Sequence, residues 1–269
     1  MIPVSVIIPC YRCSDSVGRA VNSVTAQTVP PAEVILVDDA SGDQTLEALQ
    51  TLRDNLAMEQ VRVIGLKQHG GPGAARNAGW EMASQPYLAF LDADDAWHPR
   101  KLEIQYGWMA RHPEVMLTGH PCVWLRDGRN GPPVDAEPEV SLVDRWRILR
   151  SNPLQTPSVM LKTDAPFRFP ADMRFAEDYL LWCRLVLAGL PAQRLETTLA
   201  YLHKPAFGAG GLSARLWAME AGELEVYRRL QREQLISMTL RALLTVWSLV
   251  RYLRRLLVFA LRRSLMQRQ

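Results

Sequence analysis

Four short apolar runs organise the first half of the chain. "VSVII" (Val4–Ile8) is continuous and rich in β-branched residues, the pattern of a strand buried on both faces. Behind it Val17, Ala20, Val21 and Val24 recur at helical spacing, preceded by Ser14 and Asp15, which favour helix starts. The same alternation then repeats. Strands are predicted at 33–37, 61–65 and 87–91, with helices near 43–56, 73–83 and 99–111. Strands alternating with helices predict an α/β fold with a mainly parallel, doubly wound sheet, whose ligands bind beyond the carboxyl ends of the strands.

The loop-like stretch "RDGRNGPPVDAEPE" (126–139) separates a first subdomain, 1–125, from a second, 126–211, with a helix predicted at 177–188. From Leu212 to residue 269 the pattern is helical, a C-terminal tail. The segment Leu235–Leu265 is apolar but broken by Arg241, Arg251, Arg254 and Arg255, so it holds no run of 18 apolar residues and predicts no transmembrane span.

Charge changes this picture only when it is divided. The net charge is +3, but from Val226 onward ten arginines face one acid, Glu233, a local +9 that leaves −6 for residues 1–225. A basic tail on an acidic body is not the footprint of a nucleic-acid binder. A basic helix carrying Trp247, Tyr252 and Phe259 predicts an anchor over 235–265 on an anionic membrane surface; the alternative is a helix packed on the domain or on a partner. Pro3 to Pro9 is too short for a signal-peptide core. The four cysteines form no zinc or disulfide framework: Cys10 and Cys13 fit C-x-x-C, but Cys10 ends a strand and no second pair follows. Reduced structural thiols and a cytoplasmic setting follow.

The residues at the predicted strand tips carry the chemistry. The first strand ends in "PCYR" (Pro9–Arg12) and the second in "VDDASGDQT", with Asp38 and Asp39 able to hold a nucleobase or ribose, or simply to cap the turn. "GGPGAARNAG" (Gly70–Gly79) is neither a Walker loop nor a dinucleotide fingerprint, yet it permits close backbone approach and places Arg76 nearby. "LDADD" gathers Asp92, Asp94 and Asp95 at the fourth tip, where like charges cost free energy unless a cation joins them. Mg²⁺ or Mn²⁺ takes one or two carboxylates plus water and phosphate oxygens, which D-x-D can supply; a solvated acidic turn is the simpler alternative. In "RFAEDYLLWCRL" (Arg174–Leu185), Glu177 and Asp178 start a helix whose dipole favours their ionised form, as a general base requires and as plain capping also explains.

Taken in order over residues 3–205, "VSVIIPCYR", "VILVDDASGDQT", "GPGAARNAG", "LDADD" and "EDYLLWCRL" resemble the family 2 inverting glycosyltransferases of the GT-A fold. The resemblance implies a nucleotide-diphosphate sugar donor, a UDP-sugar by analogy, and a Mn²⁺ or Mg²⁺ ion. It implies further that Pro9 and Tyr11 border the nucleotide, that Asp39 holds the base, and that Arg76 also contacts the nucleotide. Asp92 is then expected near the ribose or sugar, Asp94 as the metal ligand and Asp178 as the catalytic base, while Asp95 and Glu177 receive no firm role. His203, with Lys204 beside it, would reach the metal or pyrophosphate, and Gly208, Gly210 and Gly211 suggest a closing loop. The implied acceptor is a saccharide or lipid-linked saccharide in cell-surface polysaccharide or glycolipid synthesis, at the inner face of the cell membrane. A sugar nucleotidyltransferase is the alternative, although "PCYRCSDS" lacks the glycine-rich loop it needs. A catalytically inactive membrane-bound scaffold is another, which intact Asp94 and Asp178 argue against.

Overall fold

The structure is a computed structural model that describes residues 1–56, 60–125, 131, 133, 134, 137–203 and 215–266. The predicted alternation is present as β1 (Ile2–Cys10), α1 (Val17–Thr25), β2 (Pro31–Asp38), α2 (Thr45–Leu56), β3 (Val61–Gly65), α3 (Pro72–Met82) and β4 (Tyr87–Phe90). β1 pairs in parallel with both β2 and β4, and β2 with β3. Its Val4, Val6, Ile7 and Ile8 are fully buried, as a strand covered on both faces must be. α1 buries the predicted Val17, Ala20, Val21 and Val24 on that sheet, each valine contributing about 1.5–3 kcal/mol if fully desolvated.

Beyond β4 the pattern changes. β5 (Ala96–Trp97), α4 (Lys101–Arg111), β6 (Leu117–Gly119), β7 (Cys122–Trp124), β8 (Val140–Leu142), α5 (Arg145–Arg150), β9 (Met160–Lys162), α6 (Glu177–Leu187), β10 (Ala192–Leu195) and β11 (Ala200–Leu202) follow. Strands from both halves join one eight-stranded sheet in the order β3-β2-β1-β4-β9-β6-β10-β8. β9 runs antiparallel between β4 and β6, and β8 lies antiparallel on β10. The sheet is therefore mainly parallel, in keeping with the expected α/β class. A small second sheet, β5-β11-β7, stands over the β4 exit.

Two polar groups are buried behind that second sheet. Lys101 is fully buried with Nζ 3.7 Å from the Trp97 ring centroid. Burial holds its pKa well below the ordinary value. His120 is buried, and desolvation, reinforced by Lys101, pushes its pKa down to about 3, so its ring is neutral.

The tail is helical, as α7 (Leu216–Arg232) and α8 (Met238–Met266). α8 folds back along α7, its Leu244 and Ser248 buried. Ser248 Oγ donates to Glu220, Arg255 Nη2 pairs with Glu220 at 2.8 Å, and Arg251 Nη2 pairs with Glu223. Two of the arginines expected to face a membrane thus turn inward, because the buried Glu220 and the partly buried Glu223 of α7 await them. Trp247 Nε1 donates to the Arg150 carbonyl (3.1 Å), fastening α8 to the end of α5. No helix among the described residues is long and apolar enough to cross a membrane.

Candidate active site

A cleft of about 800 Å³ opens along the carboxyl ends of β1, β2 and β4, where a doubly wound sheet binds its ligands. Pro9, Tyr11, Asp39, Arg76, Asp92, Asp94 and Asp178 all line it. Of the expected site residues only His203 is missing from the lining. Its backbone N–H donates to Asp95 Oδ1 at 3.2 Å, and its contribution here is to tie β11 to the acidic turn. Lys204 and the glycines at 208, 210 and 211 fall outside the described residues.

At the tip of β2, Asp38 and Asp39 each brace a loop. Asp38 accepts from the Ser41 hydroxyl and caps the turn. Asp39 accepts from the backbone N–H groups of Gly70 (2.8 Å) and Gly71 (2.7 Å), locking the β2 tip to the loop before α3. Gly71 has φ +85°, a conformation side-chain-bearing residues rarely adopt. His69 approaches Asp39 Oδ2 at 2.9 Å and stacks on Tyr11 with centroids 4.2 Å apart. The exposed Tyr11 ring and His69 form an aromatic edge at this end. His69 escaped the sequence reading, although it directly precedes the glycine loop.

Arg76 joins the tip of β4 to the start of α6. Its Nη2 donates to Asp92 Oδ1 at 2.7 Å and its Nη1 to Glu177 Oε1 at 2.9 Å, with only 6% of the side chain exposed. Burial opposes the Arg76 charge, but the Asp92 and Glu177 carboxylates outweigh it and raise its pKa. Glu177 behaves oppositely: burial dominates and, with Asp178 adjoining, lifts it to about 7 despite Arg76. This bridge gives Glu177 the role that its sequence position left open.

The acidic turn crowds charge. Burial raises Asp92, opposed by Arg76 and reinforced by Asp94 and Asp178. Burial and then its neighbours Asp92 and Asp94 push Asp95 up to about 8. Arg19 Nη2 donates to the Asp94 carbonyl (2.7 Å) and fixes the turn from α1. Asp178 is held from another element: Thr156 Oγ1 donates to its Oδ2 at 2.9 Å, with Asn152 Nδ2 at 3.4 Å. Before it, Ala176 has φ +57°, a non-glycine left-handed residue that turns the chain into α6 and presents Glu177 and Asp178 to the cleft. Cys10 and Cys13 also line the cleft, and all four cysteines are free thiols.

Among the described residues no three His, Cys, Asp or Glu side chains form a self-sufficient metal site. The donor set suits an ion such as Mg²⁺ or Mn²⁺, which binds through one or two carboxylates and completes its shell with water and substrate phosphates. A cation there would also relieve the charge that raises Asp95.

A mainly parallel sheet with an acidic turn at one strand tip and a carboxylate-bearing helix opposite defines the GT-A class of fold. The structure of Staphylococcus aureus TarS 1-349 in complex with UDP-GlcNAc superimposes with a TM-score of 0.66 at 23% identity, covering 86% of this chain and 67% of that one. The model of glycosyl transferase family 2 matches residues 5–168, and the chain belongs to that family. The chain is 29% identical to the putative teichuronic acid biosynthesis glycosyltransferase TuaG of Bacillus subtilis, over 93% of this chain and 94% of TuaG. It is 27% identical to WfaP of Escherichia coli, a UDP-Glc:alpha-D-GlcNAc-diphosphoundecaprenol beta-1,3-glucosyltransferase, over 78% of this chain and 80% of WfaP. Family membership disfavours the nucleotidyltransferase alternative.

Proposed function

We propose that the protein is an inverting, metal-dependent glycosyltransferase that moves a sugar from a nucleotide-diphosphate donor, a UDP-sugar, to an acceptor hydroxyl during cell-surface polysaccharide or glycolipid synthesis. The observation that carries this reading is that Asp94, at the tip of β4, and Asp178, at the start of α6, line one cleft. The names of TuaG and WfaP and the UDP-GlcNAc bound by TarS support the donor and product class.

In this reading Tyr11 and His69 flank the base, and Asp39 shapes the loop against which the nucleotide lies. Asp94, with Asp92 beside it, would hold the divalent ion. That ion, when bound, supplies positive charge against the diphosphate leaving group. Arg76 fixes Asp92 and Glu177 relative to each other, and so sets the distance between donor and base. Asp178, held by Thr156 and Asn152, takes the proton from the acceptor hydroxyl, whose oxygen attacks the anomeric carbon from the face opposite the nucleotide. The C–O bond to the diphosphate breaks as the new glycosidic bond forms, and the configuration inverts.

The protein works in the cytoplasm, peripheral on the inner face of the membrane, and α8 supplies the contact. The experiment that tests the function is turnover of a panel of nucleotide sugars by purified protein with and without Mn²⁺. Metal-dependent release of UDP is expected, and no release from any donor would refute it.

A further inference from the structure

The cleft does not end at Asp178. A second groove of about 750 Å³ shares Asp92, Asp95 and Asp178 with it and runs away from the nucleotide end to α8, where Trp247, Val250, Arg251, Arg254 and Arg255 line it. These residues are sorted around α8. Leu244, Ser248, Arg251 and Arg255 face the domain, the last two held by Glu223 and Glu220. On the opposite side Leu243, Val246, Val250, Leu253 and Leu257 form a stripe at helical spacing, each more than half exposed. Between the two faces, at the groove's edge, stand Trp247 and Arg254.

Resting on the function just proposed, we infer that this groove is the acceptor site, and that Arg254 receives the phosphate of a lipid-linked diphosphosugar whose chain lies along the apolar stripe of α8. The order of chemistry along the groove carries this: a base at one end, a cation and an aromatic ring at the mouth, and apolar surface beyond. That is the order of a sugar hydroxyl, a phosphate and a lipid tail. Arg251 and Arg255 are committed to the α7 carboxylates Glu223 and Glu220, whereas Arg254 is exposed and has no ion-pair or hydrogen-bond partner among the described residues. An arginine beside an apolar face that meets lipid sits at headgroup level, with its stem in the apolar layer and its charge toward phosphate. The stripe is left exposed by the described residues, and the diphosphate-lipid acceptor in WfaP's name matches its chemistry. The arginines that line the groove, Arg251, Arg254 and Arg255, all belong to α8, so its positive charge lies at that end and draws the phosphate outward from Asp178.

The test uses the full chain with a chelator present, so that no metal helps a phosphate bind at Asp94. Farnesyl diphosphate, below its micelle concentration, is titrated by calorimetry against farnesol, inorganic pyrophosphate and a soluble glycerol-phosphate polymer. Farnesyl diphosphate is expected to bind best, with Arg254→Glu weakening it about tenfold or more. Arg254→Ala should fall between, and Arg254→Lys should recover most of the affinity. Arg241→Glu, off the groove, should leave it unchanged. Matching melting curves would show that R254E is folded. Equal binding by wild type and both R254E and R254A would overturn the proposal. Tighter binding of the glycerol-phosphate polymer would overturn its lipid component. Because the titration needs neither metal nor nucleotide sugar, it stands apart from the turnover assay, and either can fail while the other succeeds.

Discussion

Arg76 Nη1 donates to Glu177 Oε1 at 2.9 Å, so helix α3, from the N-terminal half of the chain, is bonded to the first turn of the helix that carries Asp178. Both side chains are more than nine-tenths buried, and the second guanidinium nitrogen reaches Asp92. The spacing between the acidic turn and the start of α6 is thus built into one side chain.

Removing that side chain leaves two carboxylates facing each other without a cation. Arg76→Ala is expected to cost about 3–5 kcal/mol in urea unfolding, the range for breaking one partner out of a buried pair. Arg76→Lys, a point charge unable to fork between Asp92 and Glu177, should recover only part of it. Wild-type stability in Arg76→Ala would show that the bridge is not structural.

Asp178→Asn keeps the shape of the residue and removes its basicity. Donor binding should be unchanged while turnover falls by about 10²–10⁴-fold, the usual weight of general-base catalysis. Near-normal kcat would exclude Asp178 as the base.

The neutral, buried His120 makes stability pH-dependent. Its folded pKa of about 3 lies below the ordinary histidine value of about 6.5, so between those values the unfolded chain binds the extra proton. This contribution is present above pH 6.5 and is lost as pH falls toward 3, at up to about 1.4 kcal/mol per pH unit. His120→Gln should flatten that limb of the stability profile, and an unaltered slope would remove His120 as its source.

The close approach of α7 to the loop before α6 offers another check. A Cβ at Gly222 would stand 2.9 Å from the Phe175 carbonyl oxygen, a backbone atom that cannot move aside cheaply. Gly222→Ala should therefore destabilise by about 1–3 kcal/mol and lower kcat, since Phe175 lies three residues before Asp178. Unchanged melting and kcat would mean the contact is slack.

The sequence displayed the parallel half plainly, because β-branched runs such as Val4–Ile8 and the helical spacing of Val17 to Val24 are local signals. The acids that line the cleft were equally legible as candidates, since Asp39 and Asp94 follow strand ends and Asp178 opens a helix. What stayed hidden was long-range. β6 and β9 are three residues each, too short for a period, and the antiparallel turn of β9 is decided by its neighbours. Thr156 and Asn152 reach Asp178 from a loop with no motif of its own. The inward turn of Arg251 and Arg255 depends on Glu223 and Glu220, 28 and 35 residues earlier, so a helical wheel of α8 alone shows a mixed face where the fold shows a sorted one.

The account turns on a divalent ion and a diphosphate sharing the acidic cleft with the base. Anomalous diffraction at the manganese edge from crystals grown with UDP and Mn²⁺ tests this most directly. One peak is expected about 2 Å from an Asp94 carboxylate oxygen, bridged to both phosphates and facing Asp178 across the cleft. Manganese bound elsewhere, or UDP bound in the cleft with no metal at Asp94, would contradict it.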